Sequence, residues 1–92
     1  MKFTVRFRIP ENEKEPRVAW VEPQHLKDRR DLKEKTGLEF IKLESSDQES
    51  LAGMVAKTLY KLQLIAEGCT PGQAFTIDYD LKQLSKEEEE ER

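Results

Sequence analysis

Groups that usually carry chemistry are scarce in this chain. Its 92 residues include one cysteine, one histidine and one tryptophan. A lone cysteine, Cys69, rules out an intrachain disulfide and favours a reducing compartment. Structural zinc sites take four Cys or His ligands, more than Cys69 and His25 supply. A nucleophilic triad needs a base beside its Ser or Cys, and His25 is the only imidazole. Cys69 lies just past a predicted helix C-terminus, where the dipole disfavours a thiolate, so a half-buried structural thiol outweighs a reactive Cys69–His25 pair. Phosphate-cradling and redox motifs (G-x-G-x-x-G, G-x-x-x-x-G-K-[ST], C-x-x-C) are absent, and no cofactor is implied. No apolar run approaches the roughly 18 residues of a membrane span. The opening stretch MKFTVRFRIPENEK carries charges within its apolar residues and does not read as a secretory signal. A cytoplasmic location is the expectation.

Charge is what the chain has in quantity. Charged residues make up 38% and hydrophobic residues 36%, enough apolar material for one compact core under a heavily charged surface. The formal charge of −3 conceals an asymmetry, with residues 1–42 at +3 and residues 43–92 at −6. The acidic run Glu87 to Glu91 supplies most of the latter, so the folded body is nearly neutral. Bulk electrostatics therefore favours neither nucleic acid nor a cationic partner.

Periodicity organises the chain into six elements. Phe3, Val5, Phe7 and Ile9 alternate with Lys2, Thr4, Arg6 and Arg8, as a half-buried strand requires. Pro10 ends it, and Arg17 to Val21 reads as a second strand hairpinned to the first. Pro23 suits a helix start and Gly37 its stop, with only Leu26 and Leu32 as anchors between them. Leu38 to Leu43 is the third strand, with apolar residues on both parities that suggest an inner position.

Ser46 and Glu49 form a predicted capping box for a long helix ending at Gly68. Its core stripe is Leu51, Met54, Val55, Thr58, Leu59, Leu62, Ile65 and Ala66. Thr70-Pro71-Gly72-Gln73 fits a type II turn, and Phe75 to Leu81 alternates as the last strand. The expected fold is α+β, a mixed α/β domain over residues 1–82 in the order β-β-α-β-α-β. It has a four-stranded mixed sheet with both helices on one side, a ferredoxin-like arrangement being one variant. Residues 83–92 read as an acidic tail, a frayed helix or disordered.

Three constellations compete for function. Asp78 and Asp80 share one face of a strand and are the weak candidates for a metal-dependent hydrolase. The stronger reading of the pair is a solvated face or cross-strand ion pairs with Arg6 and Arg8. A basic set, Arg6, Arg8, Lys27, Arg29, Arg30, Lys33 and Lys35, offers a nucleic-acid face, with Trp20 and His25 nearby in sequence. Asp28, Asp31 and Glu34 interrupt it, which reads first as a salt-bridged exposed helix. The third feature is a second apolar stripe on the back of the long helix, Gly53, Ala56, Tyr60 and Leu64. A solvent-facing back is ordinarily charged, so this stripe and the sheet edges are candidate interfaces. The leading expectation is a non-catalytic protein-interaction, adaptor or regulatory module that self-associates as a homodimer. Nucleic-acid binding is the alternative, and the Asp78/Asp80 hydrolase stands third.

Overall fold

A computed structural model describes residues 1–85, 87 and 88 of the chain. The first strand, β1 (Lys2–Arg8), buries Phe3 and Val5 and turns Thr4 and Arg6 to the opposite face. It pairs antiparallel with β2 (Arg17–Pro23), Val5 lying opposite Val21 and Arg6 opposite Trp20. Pro23 closes this strand instead of opening a helix. The first helix, α1 (Leu26–Thr36), starts after His25 and stops at Gly37, whose φ of 78° is the left-handed cap expected there.

β3 (Ile41–Ser45) pairs antiparallel with β2 and α2 (Gln48–Glu67) follows it. β4 (Asp78–Gln83) then runs parallel to β1. The sheet order is β3-β2-β1-β4, a mixed four-stranded sheet in the element order read from the sequence.

The core lies on one face of the sheet. Phe3, Val5, Ala19 and Val21 meet Leu32 of α1 and Leu51, Leu59 and Leu62 of α2, which places both helices on that side. Burying each of these larger side chains stabilises the fold by about 1.5–3 kcal/mol. A smaller cluster, Val18, Trp20 and Leu84, closes on the outer face. Leu84 is 4% exposed and Gln83 is in β4, both beyond residue 82, where the compact domain was expected to end. The acidic run read as a tail falls largely outside the described residues.

Several local expectations are corrected. The doubly buried inner strand is β2, while β3 is an edge strand. The mixed parity of residues 38–43 arises because Leu38 and Phe40 precede the strand, 49% and 37% exposed. The α2 cap is Asp47 and not Ser46: its carboxylate accepts from the Ser50 N–H at 2.7 Å and from the Ser50 hydroxyl at 2.8 Å. Those bonds hold the Asp47 carboxyl below its ordinary pKa, the backbone N–H of Ser50 contributing most.

The buried arc of α2 includes Gln63 at 2% exposure, whereas Met54 and Ile65 are 37% and 39% exposed. The helix packs against α1 as well as β2 and β3, so two neighbours and not one set its buried arc. The last strand begins at Asp78 because Phe75 is diverted to stack on Tyr60, ring centroids 5.2 Å apart. The Gln73 N–H bonds the Thr70 carbonyl at 3.1 Å and Gly72 has φ 89°, the turn expected around Pro71.

Candidate functional site: an open apolar groove beside the β4 edge

Two helices do not cover four strands. α1 and α2 pack on β2, α2 also on β3, and their side chains reach Phe3 and Val5 of β1, which leaves the β4 side of the helix-side face open. There a groove of about 540 Å³ runs between α2 and β4. Leu51, Ala52, Val55, Ala56 and Leu59 form its helix wall, Val5, Phe7 and Ala19 its floor, and Ile77, Tyr79 and Leu81 its outer lip. Its charged or amide-bearing lining residues are Arg8, Arg17 and Gln48. Tyr79 is 48% exposed and Leu81 65%, although their register opposite Phe3 and Val5 places them on the core-side face. Beyond them β4 has no further strand, so its outward main-chain groups are unpaired among the described residues.

The apolar stripe on the back of α2 is split by the chain itself. Tyr60 carries Phe75 against its ring, and its hydroxyl accepts from the Gly72 N–H at 2.7 Å. Tyr60 thus anchors the connection from α2 to β4. Ala56 lines the groove, Leu64 is half-buried and Gly53 is exposed, with nothing within 4 Å of where a Cβ would stand. These four residues therefore serve different surroundings.

The seven basic residues are also divided. Arg6 and Arg8 belong to β1, where Arg6 bonds Glu22 at 2.6 Å and Arg8 bonds Glu15 at 3.4 Å. Lys27, Arg29, Arg30, Lys33 and Lys35 are on α1, across the sheet from the Arg6 side chain. Arg29 donates to the Pro23 carbonyl at 2.8 Å, Lys33 pairs with Glu39 at 2.9 Å and Lys35 donates to the Ile65 carbonyl at 3.3 Å. The hydrogen bond from Lys33 is the main reason the Glu39 carboxyl titrates below its ordinary value. Lys27 and Arg30 are exposed.

β1 and β4 are neighbours, yet the expected Arg6/Arg8 to Asp78/Asp80 pairs do not form. Parallel register sets Lys2 opposite Asp78, Thr4 opposite Asp80 and Arg6 opposite Lys82. Asp80 instead accepts from Gln24 Nε2 at 2.7 Å and lies 3.7 Å from Lys2 Nζ. No cluster of three or more His, Cys, Asp or Glu side chains suited to a metal ion occurs among the described residues. Cys69 Sγ is 3.8 Å from Glu67 Oε2, and His25 occupies the α1 N-cap without capping it through its side chain. No helix among the described residues is long and apolar enough to cross a membrane.

Comparison with known proteins finds no matching family model, no matching curated protein and no matching solved structure. Sequence reasoning missed the groove because Tyr79 and Leu81 carry the same alternating signal as covered strand residues. The one available hint was area: an α1 with only Leu26 and Leu32 as anchors cannot roof half a sheet.

Proposed function

We propose that this chain is a non-catalytic protein-interaction module, of adaptor or regulatory type, that adds an extended segment of a partner to the β4 edge. Backbone pairing would supply affinity, and the partner's alternate side chains would lie over Tyr79, Leu81 and the groove behind them. The carrying observation is that Leu81, a core-parity residue, is 65% exposed at the lip of an apolar groove on an open strand. Exposed apolar surface of this kind is ordinarily covered in use. Nucleic-acid binding has less support, since the basic residues lie on two sides of the sheet and Arg6, Arg8 and Lys33 have carboxylate partners. The Asp78/Asp80 hydrolase has less again, with Asp80 engaged by Gln24 and Lys2. A cytoplasmic setting is part of the proposal and rests on the single cysteine.

The test is a comparison of wild type with Leu81→Arg, whose side chain is exposed enough for the fold to survive. Association, whether with itself or with captured proteins, should drop in the variant while its circular dichroism is unchanged. Identical association by both chains would overturn the reading.

A further inference from the structure

We infer that the strand added to β4 is β4 of a second copy, paired antiparallel about a two-fold axis with Leu81 opposite Leu81. This rests on the edge reading above and names its partner. The main chain fixes which residues are available. Leu84 donates its N–H to the Phe7 carbonyl at 2.8 Å, so Asp78, Asp80, Lys82 and Leu84 direct their backbone groups inward to β1. Tyr79, Leu81 and Gln83 then direct theirs outward. With Leu81 opposite Leu81, Tyr79 falls opposite Gln83 in both directions. Every outward residue of β4 enters a pair that exchanges two hydrogen bonds.

Charge selects the same register. Asp80 falls opposite Lys82 of the second copy, twice by symmetry, in the closer non-hydrogen-bonded positions. Sliding by one allowed step sets Asp80 against Asp80 or Lys82 against Lys82 at the axis. Within one chain Lys82 faces Arg6 across the sheet and forms no ion pair with any described residue. Arg6 already holds Glu22 at 2.6 Å, and the second copy supplies a carboxylate to Lys82. The opposite edge lacks this feature, because Lys42 and Glu44 of β3 pair with each other at 3.2 Å. An axis perpendicular to the sheet also keeps both α2 helices on one face. The two grooves then join across a floor of paired Leu81 side chains.

Sedimentation equilibrium over a range of protein concentration, at low salt and with reductant to hold Cys69 as a thiol, tests this. Wild type should dimerise. Lys82→Asp sets a carboxylate across from Arg6, so its fold is retained, but at two symmetric positions it opposes Asp80 to the introduced carboxylate of the other copy. Its association constant should fall on the order of tenfold or more. Asp80→Lys should fall likewise. An equimolar mixture of the two variants should recover a heterodimer, because each opposed pair is then one Lys and one Asp. The double variant Asp80→Lys/Lys82→Asp should dimerise with itself. A wild-type dimer indifferent to these exchanges would overturn the inference. So would a monomeric wild type that captures another protein through Leu81, although the interaction reading would then stand. A monomer with no Leu81-dependent partner would overturn both.

Discussion

Replacing Leu84 by alanine should loosen the sheet from its outer face. Leu84 is 4% exposed and shares a three-residue cluster with Trp20, 3% exposed, and Val18, 2% exposed. Removing its distal carbons takes away part of the cover over the indole. Leu-to-Ala changes in cores cost about 2–5 kcal/mol. This cluster is small and lies outside the main core, so solvent or a shifted neighbour can fill the gap. The lower end, about 2 kcal/mol, follows.

Trp20 is the sole tryptophan and so reports on its own surroundings. Urea unfolding followed by its fluorescence, at one fixed protein concentration, should show a midpoint lowered by up to about 2 M for a slope of about 1 kcal/mol/M. Native emission should move to the red. A midpoint within about 0.5 M of wild type and unchanged emission would refute the claim that Leu84 covers the indole.

Two glycines should respond to alanine with opposite signs. Gly53 is inside α2 with an open surface, so Gly53→Ala should stabilise by about 0.5–1 kcal/mol and leave association unchanged; weakened association would return the interface to the helix back. Gly68 has φ 65° at the C-cap, so Gly68→Ala should destabilise by about 1–2 kcal/mol, both read by thermal unfolding. The Asp47 carboxyl titrates low in the fold, so its stabilisation is present above the unfolded carboxylate pKa and lost as pH falls through the folded value. Wild type should therefore lose more stability than Asp47→Ala between about pH 5 and about pH 2.5, measured by denaturant midpoints. Equal losses would remove the cap from the account.

Much of this fold is legible from short-range pattern. The alternation through Phe3, Val5 and Phe7 commits residues 2–8 to a strand, and the spacing of Leu51, Val55, Leu59 and Leu62 commits α2 to a helix. Gly37 and Gly68 stop the helices where they do because each takes positive φ. Capping was legible only to within a residue: Ser46 and Asp47 both carry an acceptor, and the chain's path out of β3 decides which one reaches the first turn.

What pattern could not convey is which surfaces meet. Trp20 and Leu84 are 64 positions apart in the chain, and only the parallel pairing of β4 with β1 brings them together. Glu22 on β2 and Asp80 on β4 both lie opposite Thr4, one same-face position off Arg6 in each register; Arg6 bonds Glu22, while Asp80 is engaged by Gln24 and Lys2, a choice that only the assembled sheet makes. Leu81 looks like core in sequence and is exposed in the fold, since burial depends on whether an element lies overhead. Local sequence sets backbone conformation through nearest-neighbour sterics and hydrogen bonding. Coverage of a face is a property of the whole packing, and here it leaves the β4 edge and its groove open.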